Sequence, residues 1–187
     1  MSAGRKINTQ SVTWNTPNKY VSPITDFFGG LIHLDPCSNS TSIVNAKTSY
    51  SLPIDGLASD WNFPTVFVNP PYGRDKERKT TIKDWIKKAL DTHTTYKNEI
   101  ILLIPVATNT SHWKNYIFGK CTALVFLYDT RLKFLVDGVD DGKGAPMSCC
   151  LVYYGTKVDR FIEMFSEYGA VVNGNLIKTN EQPPNKR

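Results

Sequence analysis

No stretch of the 187 residues approaches the roughly 20 consecutive apolar side chains that a membrane-crossing helix needs. Met1 to Gln10 is polar and has none of the apolar centre of a secretory leader, so a cytoplasmic protein with no membrane partner is expected. Cysteine is sparse: Cys37, Cys121, Cys149 and Cys150 show no CxxC spacing, and the last two are neighbours in an apolar run. That pattern offers neither a zinc site nor a disulfide framework, and the four read as small buried hydrophobes. His33, His93 and His112 stand singly and read as structural, so no metal is expected. Internal repeats, low-complexity blocks and linkers are also lacking, which leaves one compact domain over 14–178 between polar ends at 1–13 and 179–187.

The charge balance decides little. Twenty-two Lys and Arg against 17 Asp and Glu give a formal charge of +5, which fits a polyanionic partner without requiring one. Hydrophobic patterning is more informative. Ser22-Pro23 reads as a helix entry, with the helix running to about Phe28 and stopped by Gly29-Gly30. Leu31 to Asp35 and Thr65 to Val68 read as short strands, and Ile82, Trp85, Ile86, Ala89 and Leu90 form the stripe of an amphipathic helix. Glu99 to Ile104 is a continuous apolar strand ended by Pro105, a helix is expected over 110–118, and Thr122 to Leu127 is a strand. Arg131 to Val136 and Met147 to Tyr154 complete the strands, with a turn-rich loop over 137–146, and a last helix spans about 157–168. Alternating strands and helices predict an α/β fold: a central, mostly parallel sheet covered by helices on both faces. In such sheets ligands bind beyond the carboxyl ends of the strands, the edge from which the Asp35 and Asn69 loops leave.

Asn69-Pro70-Pro71-Tyr72 at a strand's end has unusual chemistry. The two prolines stiffen the stretch and donate no N–H, so its carbonyls stay free acceptors, and the Asn69 side chain adds an amide oxygen. Two acceptors near one point suit an –NH2 group. Tyr72 offers a face on which an aromatic ring stacks, worth roughly 1–3 kcal/mol per base. Such a site draws the amine's lone pair towards an electrophile and needs no strong base, because the nitrogen loses its proton after it has become cationic.

The tetrapeptide resembles the Asp/Asn/Ser-Pro-Pro-aromatic motif of amino-methyltransferases, and the wider pattern resembles the phage-type Dam family of DNA N-6-adenine methyltransferases. The resembling pieces, in order, are Trp14-Asn15-Thr16-Pro17, Leu34-Asp35-Pro36-Cys37, Asp55-Gly56-Leu57 with Asp60-Trp61, Asn69 to Gly73, Trp85, Leu102 to Pro105 with Trp113, and Arg131 to Phe134. They cover residues 14–154. The resemblance implies a Rossmann-like, S-adenosylmethionine-dependent fold and double-stranded DNA as substrate. It also implies a phage or prophage setting, protection from restriction included.

By the same resemblance Asn69 and the Pro70 carbonyl accept the amino protons of an extruded adenine, Pro71 stiffens the loop, and Tyr72 stacks on the base. Trp14, Thr16, Pro17, Asp35, Pro36 and Asn69 fall on the cofactor side, near its methionine end for Asp35 and Thr16-Pro17. Asp55 or Asp60 binds the cofactor's ribose or adenine. Basic residues flanking the motif (Arg74, Lys76, Arg78 and Lys79) and those of the 131–146 segment (Arg131, Lys133 and Lys143) are candidates for DNA phosphates.

Two departures stand out. Ser38-Asn39-Ser40 replaces the glycine-rich turn of many methyltransferases, and residues 36–64 leave room only for very short strands between Asp35 and Val66. Two other functions are compatible with the residues: a catalytically silent DNA-binding protein on this scaffold, and methylation of a glutamine side-chain amide, another planar –NH2.

Overall fold

The computed structural model describes residues 14–129, 131–136, 139–140 and 147–179. Its centre is a seven-stranded sheet in the order β10-β6-β9-β5-β4-β2-β3. The strands are β2 (Leu34–Asp35), β3 (Thr48–Ser49), β4 (Thr65–Val68), β5 (Glu99–Pro105), β6 (Ala123–Leu127), β9 (Cys149–Tyr154) and β10 (Gly169–Asn173). A second sheet of three short strands runs β1 (Trp14–Asn15), β7 (Leu135–Val136) and β8 (Val139–Asp140). Helices lie on both faces, as the patterning implies: α1 (Asn18–Phe27) and α3 (Val158–Phe165) on one, α2 (Ile82–Tyr96) on the other.

The unbroken apolar runs of β5 and β9 exist because both of their faces are covered. Ile101 and Leu103 of β5 pack with Tyr20, Ile24 and Phe27 of α1 and Phe161 and Phe165 of α3. Ile100, Leu102 and Ile104 pack with Trp85, Ile86 and Ala89 of α2 and with Trp113. The stripe from Ile82 fixed α2, and the Asp84 carboxylate accepts hydrogen bonds from the Thr81 N–H (2.8 Å) and hydroxyl (3.1 Å) to close its first turn. No helix is long and apolar enough to cross a membrane, and no His/Cys/Asp/Glu group that could hold a metal occurs, among the described residues.

Several expectations are corrected. The sheet is mixed rather than mostly parallel: β3-β2, β2-β4 and β4-β5 pair in parallel, whereas β5-β9, β9-β6 and β6-β10 pair antiparallel. Strand β9 inserts between β5 and β6 in the opposite direction, an arrangement that local periodicity does not encode. The first helix opens at Asn18, not at Ser22-Pro23, and carries Pro23 inside it. An interior proline costs about 3 kcal/mol, but burying Tyr20, Val21, Ile24 and Phe27 on one face returns roughly 1.5–3 kcal/mol per large side chain. The helix expected over 110–118 is a single π-helical turn, Trp113–Ile117, in which the Phe118 N–H reaches back five residues to the Trp113 carbonyl (2.9 Å). That turn puts both Trp113 and Ile117 in the core.

The strand expected over 131–136 is confined to Leu135–Val136. Leu132 and Phe134 are buried and Lys133 is exposed, yet only the last two residues meet a strand partner, β1. Part of the loop expected over 137–146 is β8. Gly169 is the first residue of β10. A side chain there would lie 2.1 Å from the Phe126 carbonyl oxygen, so the close strand approach requires glycine.

Two features of this frame position the site. Strands β3 and β4 flank β2 on opposite sides, so the chain leaving β2 turns one way and the chain leaving β4 the other. Their carboxyl ends diverge and open a crevice, the switch-point geometry at which open α/β sheets bind ligands. Beneath it, Gly56 is packed so tightly under the loop after β2 that a Cβ would stand 1.7 Å from the Pro36 carbonyl oxygen, while the Trp61 indole N–H donates to the Gly56 carbonyl (2.7 Å). Gly56→Ala is therefore expected to destabilise the fold by about 3 kcal/mol, lowering Tm by roughly 6–12 °C in a thermal melt.

Candidate active site

Asn69 follows β4 directly, and Asp35 ends β2, its parallel neighbour. The two line one recess together with Trp14, Asn15, Thr16, Cys37, Ser38, Asn39, Ser42 and Val44. The Asn69 side-chain Nδ2 donates to the Trp14 backbone carbonyl at 3.2 Å. This bond uses the amide's donor end and fixes its orientation, and no described residue donates to Asn69 Oδ1 or to the carbonyl of buried Pro70. Two acceptors on adjacent residues are therefore left without a donor among the described residues.

Tyr72 is half-buried, and its hydroxyl donates to the Leu103 carbonyl of β5 at 3.3 Å. Burial, with the Cys149 thiol beside it, pushes the phenol well above its ordinary pKa, so it stays neutral. Trp14 and Phe134 both meet the Tyr72 ring near perpendicular, with centroids at 6.4 and 5.8 Å, and stack on each other at 5.3 Å and 10°.

Asp35 is 4% exposed, and no described Lys or Arg pairs with it. Burial raises its carboxyl pKa to about 6, opposed by hydrogen bonds from the Cys37 backbone N–H (3.1 Å) and from the side chains of Ser38, Cys37 and Ser42. Thr16, across the recess, has a buried hydroxyl with no hydrogen-bond partner among the described residues. A buried carboxylate without a cation and an orphaned hydroxyl together complement a ligand carrying an ammonium group and a polar neighbour. The free space there, about 10 Å³, is close to what a single water needs.

Residues missed by sequence reasoning complete the recess. The Asn15 Nδ2 donates to the Thr41 carbonyl (2.9 Å) and hydroxyl (2.7 Å), the Asn39 Nδ2 donates to Asn15 Oδ1 (2.6 Å), and Asn39 Oδ1 accepts from the Thr41 N–H (2.9 Å). The network braces the loop after β2, in place of glycines, and none of residues 36–42 has a positive φ. The signal was present in the Ser38-Asn39-Ser40-Thr41-Ser42 run, but its partner Asn15 lies far away in sequence.

The other candidates are dispersed. Asp55 and Asp60 do not line this recess: Asp55 faces Arg78 (3.6 Å) and accepts from the Leu57 N–H (2.9 Å). Asp60 is exposed, at the rim of an open depression of about 540 Å³ over the outer side of α2, which contains no part of the Asn69–Tyr72 loop. Pro17 caps α1, and buried Pro36 sits on Gly56. Arg74, Lys76, Lys79, Arg131 and Lys133 are exposed. Arg78 is engaged internally: its guanidinium stands 2.7 Å from Asp75, and its backbone N–H first, then its side chain, hold the Asp75 carboxyl below the ordinary range. Lys143 lies outside the described residues.

A family model described as DNA N-6-adenine-methyltransferase (Dam) matches residues 5–173 of the chain. No curated protein and no solved structure matches it.

The buried carboxylate has a stability consequence of definite sign. Folding raises the Asp35 pKa, so its contribution is fully present below the ordinary carboxyl pKa and is lost as pH rises through about 6. Asp35→Asn, which cannot ionise, is expected to be more stable than the parent at pH 8, by up to about 3 kcal/mol for a shift of some two pKa units. The gain should vanish near pH 4. Urea denaturation of both proteins at the two pH values checks this.

Proposed function

Because the chain belongs to the DNA N-6-adenine-methyltransferase (Dam) family, we propose that the Asn69–Tyr72 loop carries out methylation of the adenine amino group in DNA, with the base extruded from the duplex. The observation that carries this reading is the Asn69–Trp14 hydrogen bond, which leaves Oδ1 free beside the Pro70 carbonyl. Two acceptors and no donor select a group with two protons to give, and the exocyclic amine of adenine is such a group. Accepting both protons turns the nitrogen lone pair out of the ring's conjugation. Tyr72, pinned through its hydroxyl, supplies the ring against which the extruded base stacks. No carboxylate or imidazole is required as a base, since the nitrogen releases its proton once alkylation has made it cationic.

S-adenosylmethionine, the methyl donor of this chemistry, supplies an electrophilic methyl group on a sulfonium. The polar groups of the recess complement its amino-acid end: Asp35 would hold the ammonium, and the Thr16 hydroxyl would take a partner it otherwise lacks. Holding the ammonium would favour the charged form of Asp35 and offset the cost of burying it. Trp14, Cys37 and Val44 line the recess beside these two groups, and Asn39 with Asn15 braces the loop after β2. Exposed Arg74, Lys76, Lys79, Arg131 and Lys133 are available to DNA phosphates, which position a duplex without reading its sequence.

The protein is incubated with duplex DNA and S-adenosylmethionine, and the digested nucleosides are analysed by mass spectrometry. N6-methyl-2′-deoxyadenosine is expected, and Asn69→Ala and Tyr72→Ala should each lower kcat by about 100-fold or more. Full activity in both variants would sink the mechanism. Absence of product together with glutamine methylation in a protein would favour the amide substrate. Binding of DNA without S-adenosylmethionine binding would favour a silent scaffold. Calorimetry should also show S-adenosylmethionine affinity falling as pH drops through about 6, as Asp35 is protonated, and a loss of about tenfold or more in Asp35→Asn.

A further inference from the structure

The orientation of the Asn69 amide is not secured by Asn69 itself. Its one hydrogen-bond acceptor among the described residues is the Trp14 carbonyl, so the amide is only as well placed as β1. Strand β1 is two residues long, on the three-stranded sheet, and its pairing with β7 joins only Trp14 to Val136 and Asn15 to Leu135. So short a ladder needs side chains to hold it. On one side the Asn15 amide is tied to Thr41 and Asn39. On the other the Trp14 indole stacks on Phe134, which precedes β7, is 3% exposed, and belongs to the core beneath α1 and α3. Phe134 also meets the Tyr72 ring at 5.8 Å, on its second aromatic contact.

We infer that Phe134 is a positioning residue for the methyl transfer: by clamping Trp14 it fixes the carbonyl that orients the Asn69 amide. Phe134 is not itself one of the residues lining the recess; it acts on that lining only through Trp14. With the clamp gone, Trp14 shifts and the Asn69 amide turns. A turned amide presents N–H to the substrate's own N–H and can no longer accept its proton. The consequence falls on the chemical step, because Asp35 is held by the Cys37 N–H rather than by β1. The same clamp puts the hairpin of β7 and β8 in direct contact with the strand that orients the catalytic amide.

The inference uses the proposed function only for its kinetic arm, and the test has a second arm that needs neither DNA nor cofactor. In 15N-labelled protein, with the Asn69 side-chain NH2 signals assigned by their loss in Asn69→Ala, the donated proton should exchange with solvent at least about tenfold faster in Phe134→Leu than in the parent. Phe134→Tyr, which keeps the stack, should restore the slow exchange. In turnover, Phe134→Leu should lower kcat by about 10–100-fold with KM for DNA and for S-adenosylmethionine within about threefold. Trp14→Leu breaks the same stack from the other partner and should give the same exchange pattern, which keeps the test decisive if one variant folds poorly. Parental exchange in a folded Phe134→Leu or Trp14→Leu protein overturns the inference. So does a raised KM with unchanged kcat. If the parent itself makes no methylated adenine, the proposed function fails and the exchange arm still decides whether Phe134 sets the amide.

Discussion

A single hydrogen bond, from the Asn69 amide nitrogen to the Trp14 carbonyl, organises the candidate site. An asparagine side chain can both donate and accept, and an amine-binding site works only if the donor end is occupied elsewhere. Here the partner comes from a strand that pairs with the small sheet, not from the strand that carries Asn69. The small sheet, the aromatic stack of Trp14 with Phe134, and the Asn15–Asn39–Thr41 network all act to keep that one carbonyl in place. Each is weak alone. Together they hold a two-residue strand through both of its side chains and its pairing with β7.

The opposite constraint governs Asp35. Its carboxylate is buried, hydrogen-bonded to a loop of Ser and Cys, and unmatched by any described cation, so the fold carries a charge that it does not itself neutralise. A group of this kind costs stability. The orphaned Thr16 hydroxyl a short way across the recess is a second unsatisfied group of the same sort. Both lie at the diverging ends of β2 and β4, the point where the sheet topology opens space without any side chain having to be removed.

How much of this was legible depends on the range of the interaction involved. Helix α2, strands β4, β5, β6 and β9, and the stiff acceptor loop after β4 follow from neighbours within a few residues. The start of α1 did not: a proline signal at Ser22-Pro23 was outweighed by four buried side chains whose partners lie on the sheet. Strands β1, β3 and β8 are two residues long and carry too little periodicity to read. The direction of β9 and the pairing of β1 with β7 join residues more than a hundred positions apart or reverse the expected order. Arg78 shows the same limit for charge. A basic residue in a charged run looks like a phosphate contact until Asp75 and Asp55 are found beside it.

The sequence by itself determined the chemistry of the loop, because two prolines and an asparagine restrict backbone angles and donors through their own covalent structure. It also determined the strand before that loop and the two-sided burial of β5, since both follow from local patterning. Only the tertiary structure decided which way the Asn69 amide faces, which of the acidic residues stands at the recess, and which basic residues remain free. Asp35, Asp55 and Asp60 are the same kind of residue in similar surroundings of sequence. They are separated by what chain topology brings to them: a buried crevice for the first, an arginine for the second and solvent for the third.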